Sequence, residues 1–155
     1  MRVLLDTTYL LPPLGVEGEG VSRDVSTILK KEGHTPSVSE TSVFELLAEG
    51  SKLTAKEVIP RERVSLAIQS LYKDESIIRV SLENPDVVRY TMELRPYHSD
   101  TVDCVIIASA LAKAESILTE DKTLLNTNTQ LRRAIRRIKP NLKIIPSAHL
   151  PKPHP

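Results

Sequence analysis

The chain has one cysteine, no tryptophan, a single phenylalanine, and beyond Asp121 no acidic residue at all. Each shortage excludes something. A lone thiol, Cys104, can close no internal disulfide and build no cysteine metal site. It suits a reducing compartment, and a cytoplasmic location is expected. Aromatics make up only 3% of the sequence, so the core must be assembled from Leu, Ile, Val and Ala. The stacking platforms that hold single-stranded bases are in short supply. Long apolar runs are missing as well. The opening MRVLLDTTYLLPPLG is broken by Asp6 and then by Pro12 and Pro13, with no small-residue cleavage pattern after it, so it does not read as a signal peptide. No stretch approaches the ~18 apolar residues that a membrane span requires, and no membrane association is expected.

What remains is the composition of an ordinary folded domain. Its 155 residues suit one hydrophobic core, and 40% hydrophobic with 26% charged residues argue against intrinsic disorder. The net charge of +1 hides a segregation. Residues 1–60 hold 6 Lys or Arg against 9 Asp or Glu, residues 61–121 hold 7 against 11, and residues 122–155 hold 8 against none. Acidic chemistry and basic surface therefore lie in different parts of the chain, which points to an anionic partner.

Residues 2–6 form a short apolar run ending in a carboxylate, and the pattern predicts a buried strand. Residues 14–20 (LGVEGEG) read as a loop. A helix over 21–32 follows, stopped by Gly33. A strand over 35–39 leads into a helix over 40–49 with Val43, Phe44, Leu47 and Ala48 as its apolar stripe, closed by Gly50. Residues 51–60 read as a polar connection or short helix. Helices are expected over 61–72, 85–94 and 99–113, and around Leu131, Ile135 and Ile138. Strands are expected over 77–80, 116–119 and 143–145. Strands separated by helices argue a mostly parallel sheet covered on both faces, a three-layer α/β/α sandwich. One domain spans residues 1–147, and a Pro-rich tail occupies 148–155.

Four acids break the apolar pattern. Asp6 closes a strand at its carboxyl end, the edge where ligands of open parallel sheets collect. Asp121 follows the strand Ile117-Leu118-Thr119 and reaches the same edge. Asp103 shares a helical face with Ile107, Ala110 and Ala114, where an unpaired charge is costly to bury. Glu45 sits beside its own helix's stripe. Each has an ordinary reading alone: a turn at Asp6, a helix cap at Asp103, a helix start at Asp121. Converging, the four would repel and hold protons unless a cation neutralised them. An all-oxygen site suits Mg²⁺ or Mn²⁺ rather than zinc.

The segments LLDTTYLL (4–11), SVFELLAEG (42–50), HSDTVDCVIIASALAKA (98–114) and ILTEDKTLL (117–125) resemble, in order, the four signature blocks of the PIN-domain ribonucleases, which include the VapC-type toxins. The resemblance implies a parallel sheet between helical layers. It also implies acidic metal ligands at Asp6, Glu45, Asp103 and Asp121 that cut RNA phosphodiesters, leaving 5′-phosphate and 3′-hydroxyl ends. Thr8 matches the family's small hydroxyl residue after the first Asp and Thr119 the one before the last. Asp100 corresponds to an extra acid found in some members. These three are expected to orient the ligands. Glu120 stands where an Asn is common and adds negative charge beside the site. An antitoxin-like inhibitor protein and a homodimer are further expectations of the resemblance, which covers residues 51–95 poorly.

An acidic site needs cations to hold a phosphate backbone. Arg132, Arg133, Arg136 and Arg137 lie opposite Leu131, Ile135 and Ile138 and form an all-cationic helix face, either merely solvated or binding RNA, with no acid at i±3 or i±4 to balance it. The loop over 15–20 is a poor phosphate loop, because Glu17 and Glu19 repel phosphate. His34, His98, His149 and His154 are scattered, and His98 reads as structural or surface. Cys104 reads as a core residue. The leading function is a metal-dependent endoribonuclease, either the toxin of a toxin–antitoxin pair or an RNA-processing enzyme. The alternative is a non-catalytic RNA-binding or scaffold domain. A phosphatase of the haloacid-dehalogenase type is disfavoured, since it wants a second Asp where Thr8 stands.

Overall fold

In a computed structural model the described residues are 1–16, 21 and 24–150. The predicted strands and helices are present over them, and the expectations for residues 17–20, 22–23 and the tail beyond 150 lie outside them. The chain runs β1 (Arg2–Leu5), α1 (Val25–Lys31), β2 (Thr35–Ser39), α2 (Glu40–Ala55), α3 (Arg61–Lys73), β3 (Ile78–Val80), α4 (Pro85–Leu94), α5 (Thr101–Lys113), β4 (Ser116–Leu118), α6 (Lys122–Leu125), α7 (Thr129–Ile138) and β5 (Lys143–Ile145). Short 3₁₀ turns occupy Thr7–Leu10, Pro12–Leu14, Arg95–Tyr97 and Ser147–His149.

The sheet order is β3-β2-β1-β4-β5, and all of its pairings are parallel. Alternation along β1 decides the layers. Val3 and Leu5 point into a core shared with Val25 and Leu29 of α1, Val43 and Leu46 of α2, and Val64 and Ala67 of α3. Leu4 points the other way, into a core built by α4, α5 and α7. A short strand with both faces covered is apolar where it is buried, and β1 is apolar from Val3 to Leu5. The chain winds outward from β1 through β2 to β3, then returns to the other side of β1 through β4 to β5. The sheet therefore switches direction between β1 and β4, where open parallel sheets present a crevice at their carboxyl edge.

Local signals explain most boundaries. Gly33, at φ +73°, follows α1 in the left-handed conformation that ends helices cheaply. Asn84 caps α4 through its side chain, with Pro85 at the first helical position. Two expectations fail on α2. The helix does not stop at Gly50 but continues to Ala55. Gly50 is there for close approach: a Cβ at this position would lie 2.7 Å from a methyl of Val64 on α3. The apolar stripe is also misassigned. The helix buries Thr41, Ser42, Val43, Leu46 and Gly50, and leaves Phe44 67% and Leu47 46% exposed. Both sets have helical spacing. The small residues of the true inner face read as polar, and the large residues of the outer face drew the eye.

Candidate active site

Two of the acids are placed by the ends of adjacent strands. Asp6 follows β1 and its amide donates to the Leu118 carbonyl at 3.0 Å, extending the ladder by one residue. Thr119 follows β4 and its amide donates to Ile145 O at 3.1 Å, so Asp121 emerges beside Asp6 at the switch point. Asp6 caps the 3₁₀ turn, its Oδ1 accepting from Thr7 N at 2.8 Å. Asp121 caps α6, its Oδ1 accepting from Thr123 N at 2.7 Å. The turn and the helix start that each acid suggests are thus real, and each uses one carboxylate oxygen.

The other two come from helices. Glu45 lies on the second turn of α2, and its Oε2 accepts from the hydroxyl of Thr7. Asp103 lies in the first turn of α5 but does not cap it. Asp100 does, accepting from Val102 N at 2.8 Å and Asp103 N at 3.2 Å. That leaves the Asp103 side chain free to meet His98, whose Nε2 is 2.8 Å from Asp103 Oδ2.

The electrostatics follow from this crowding. Asp6 is raised above the ordinary carboxylate range, chiefly by burial and further by Asp121 and Asp103, against hydrogen bonds from Thr119 and Thr7 that pull it down. Glu45 is raised by burial, with Asp6, Asp103 and Asp100 adding to the shift and Thr7 opposing it. Asp103 is raised by burial, opposed by His98 and reinforced by Asp100 and Asp121. Asp6, Asp100, Asp103 and Asp121 recur among these influences, so the acids share one field. Among the described residues no Lys or Arg hydrogen-bonds or ion-pairs with any of them.

The donor set fits a hard divalent cation. Every candidate donor atom is a carboxylate oxygen, and Glu45 Oε1, Asp103 Oδ1 and Asp121 Oδ2 make no hydrogen bond to the described residues. Thr8 Oγ1 is buried without a partner among them. Among the described residues no group of three or more His, Cys, Asp or Glu side chains is close enough to hold a metal ion. Asp6, Glu45, Asp103 and Asp121 are thus electrostatic neighbours at the carboxyl edge of the sheet, not a closed cage.

Thr119 touches the acids as expected, and three other supporting residues differ from expectation. Thr119 is fully buried and joins two acids, donating to Asp6 Oδ2 at 2.7 Å and accepting from Asp121 N at 3.0 Å. It is Thr7, not Thr8, that touches Glu45, and the sequence offered two adjacent threonines with nothing to separate them. Glu120 turns away from the acids: its Oε1 accepts from the Tyr9 hydroxyl and from Ser147 N at 2.8 Å, tying the C-terminal segment to the sheet. Burial alone would raise Glu120, but these partners bring it below the usual range. His98 was legible only as a residue near Asp100 and Asp103. Its contact depends on the chain doubling back through Arg95–Tyr97, which spacing does not reveal. Cys104 is buried in the core as expected. Arg132, Arg133, Arg136 and Arg137 are all exposed on α7, whose buried face is Leu131, Ala134 and Ile135.

An open parallel sheet with acids near its switch point defines a doubly wound α/β protein with an anionic edge. More narrowly, the chain belongs to the PIN domain family: the PIN domain sequence model matches residues 3–129. Members of this family are generally nucleases that use divalent metal ions. No curated protein matches the sequence. The fold is similar to a chain of VapBC2 from Rickettsia felis bound to a promoter DNA fragment, at 17% identity and a TM-score of 0.63, covering 94% of this chain and 98% of that one. It is similar to a chain of FitAcB from Neisseria gonorrhoeae, at 17% identity and a TM-score of 0.55, covering 96% and 99%. A chain of a toxin–antitoxin complex from Klebsiella pneumoniae matches at 17% identity and a TM-score of 0.50, covering 77% and 86%. At these identities the likeness establishes the fold alone. No described helix is long and apolar enough to cross a membrane.

Proposed function

We propose that the chain is a metal-dependent endoribonuclease that hydrolyses RNA phosphodiester bonds, with Asp6, Glu45, Asp103 and Asp121 as ligands for Mg²⁺ or Mn²⁺. The observation that carries this reading is the uncompensated charge: four acids from four elements near the switch point, three of them held above their ordinary pKa. A protein that needed these acids only for folding would have paired them with Lys or Arg. A bound divalent ion supplies Lewis acidity, a more acidic water and neutralisation of phosphoryl charge. The chain's own residues do the rest. Thr119 holds Asp6 and the start of the Asp121 turn in one geometry, and Thr7 holds Glu45. Such ties fix which oxygen each ligand presents.

The α7 arginines supply what the acids repel. The helix is anchored at the site end, where Asn128 Nδ2 donates to Tyr97 O at 2.9 Å, and at the far end, where Lys139 Nζ donates to Ala114 O. Arg132 and Arg133 therefore stand at the end of α7 nearer the acids, and the row leads away from the cleft as a backbone track would. Contacts of this kind position RNA without reading its sequence.

A small inhibitor protein and a homodimer belong to the same reading. The Klebsiella chain comes from a toxin–antitoxin complex, and this chain leaves Phe44 and Leu47 exposed beside a 590 Å³ groove between α2 and α3 lined by Thr54, Ala55, Val64 and Ile68. Exposed apolar surface of this kind marks protein contacts.

The test is cleavage of single-stranded RNA and DNA oligonucleotides with Mg²⁺, Mn²⁺ or EDTA, beside Asp6→Asn. Metal-dependent RNA cleavage lost in EDTA and in the variant is the expected result. A folded protein that binds RNA but cuts nothing with either metal would replace the nuclease by a scaffold.

A further inference from the structure

His98 lies outside the four acids, and nothing in the proposed chemistry uses it. Its imidazole is nonetheless 11% exposed and set against a carboxylate that is 16% exposed, at 2.8 Å. With Asp103 ionised, as a metal ligand is, its carboxylate only accepts, so His98 Nε2 carries the hydrogen and Asp103 Oδ2 receives it.

The backbone that presents the ring is pinned from both sides. Arg95 spans the connection with its fork: Nη1 donates to His98 O at 3.0 Å and Nε to Thr101 Oγ1 at 3.0 Å. Asn128, the N-cap of α7, holds Tyr97 O. The chain thus fixes the imidazole before any ligand arrives, and a side chain fixed in advance loses little freedom when it is used.

A pattern runs through the site. Thr7 takes Oε2 of Glu45, the Thr123 amide takes Oδ1 of Asp121, and His98 takes Oδ2 of Asp103, while the second oxygen of each acid has no partner among the described residues. Among the side-chain donors to the four acids, His98 alone offers a nitrogen; the others are threonine hydroxyls. Asp100 and Asp121 both push against the charge of Asp103, and His98 opposes them.

We propose that His98 is a positioning residue: it holds Asp103 Oδ2 so that Oδ1 alone faces the cleft as a single-oxygen metal ligand. The proposal rests on the nuclease reading's assignment of Asp103 as a ligand. A merely structural pair would tie the Arg95–Tyr97 turn to α5 and leave metal affinity unchanged when broken. A competitor for Asp103 would leave metal binding tighter when removed.

Direct Mn²⁺ titration, followed by the electron paramagnetic resonance of free Mn²⁺, separates these. It is run on the full chain and on His98→Ala, His98→Gln and Asp103→Asn, with circular dichroism to confirm folding. Gln places an amide nitrogen near the position of Nε2. The expected result is Mn²⁺ affinity weakened about 10- to 100-fold in His98→Ala, restored for the most part in His98→Gln, and weakened in Asp103→Asn. Mn²⁺ binding by folded His98→Ala as tight as or tighter than the parent chain overturns the positioning role while Asp103→Asn still upholds the site. If His98→Ala does not fold, weak Mn²⁺ binding by a folded His98→Gln also overturns it. A parent chain that binds no Mn²⁺ overturns both the role and the nuclease reading.

Discussion

Removing the Thr119 hydroxyl while keeping its shape tests whether the acids are held by hydrogen bonds or by packing. Thr119→Val is nearly isosteric and deletes two bonds in a fully buried position: the donor to Asp6 Oδ2 at 2.7 Å and the acceptor for Asp121 N at 3.0 Å. The first is charge-assisted and contributes about 1.5–3 kcal/mol; the second, between neutral groups, contributes about 0.5–1.5 kcal/mol. A methyl in place of the hydroxyl returns part of this, so a net loss of about 2–3 kcal/mol is expected at neutral pH. For a domain of this size that lowers Tm by roughly 4–12 °C. Thr119→Ser provides the contrast. It keeps both bonds and loses a methyl from a packed core, for about 1 kcal/mol. Thermal and urea unfolding of the two metal-free variants give the comparison directly. Valine should be the more destabilised, and its Mg²⁺-dependent cleavage should fall well below that of serine. If serine proves the less stable of the two, the hydroxyl is incidental and Thr119 serves the core, which would refute the account of how Asp6 and Asp121 are aligned.

Metal-free stability should fall as pH rises above the ordinary carboxylate range. Asp6, Glu45 and Asp103 have folded pKa values raised above their unfolded ones, so stability is full below the unfolded values and is lost as pH climbs through the raised ones. Asp6→Asn should flatten that slope in urea midpoints taken across the range, and an unchanged slope would show that Asp6 is not strained. Saturating Mn²⁺ should raise Tm at pH 7.5, with about 2.7 kcal/mol of stabilisation at one hundred times Kd, and no shift at millimolar Mn²⁺ would argue against a site. Charge reversal of Arg132, Arg133, Arg136 and Arg137 together should reduce the salt dependence of single-stranded RNA binding by up to about 3 in the log–log slope, read by fluorescence anisotropy. An unaltered slope would place RNA on another face. Gly50→Ala gains about 1 kcal/mol of helix propensity but drives a Cβ to 2.7 Å from Val64. Overpacking costs about 1–3 kcal/mol, so the variant should be less stable, and Gly50→Ala with Val64→Ala should relieve the clash.

The fold was legible because its strands are short, mostly centred on apolar residues and separated by helical periods, and because runs of that kind have few arrangements other than a covered parallel sheet. Arg2–Leu5, Ser116–Leu118 and Lys143–Ile145 stand where the pattern put them. Helix α2 was harder for a physical reason. A helix that packs closely against a neighbour needs small residues on its inner face, so Ser42 and Gly50 are buried while Phe44 and Leu47 face outward. Hydrophobicity alone assigns such a helix the wrong way round. Side-chain size, read together with period, would have found the inner face.

The acids of the site were legible for the opposite reason: they contradict their surroundings. A carboxylate at the end of an apolar strand, or on the inner face of a buried helix, raises the energy of the folded chain, and a sequence keeps such residues where something other than folding requires them. The groups that hold them in place carry no such signature. Thr7, His98 and Thr119 break no pattern, because a threonine or a histidine is comfortable at a half-buried loop end whether or not it serves a neighbour. Their roles arise from contacts across the chain: Thr7 to Glu45, and Thr119 to Asp6. His98 reaches Asp103 only because the Arg95–Tyr97 turn folds the chain back on α5. Sequence can therefore name residues that are strained, whereas residues that relieve strain become visible only when three dimensions bring the two together.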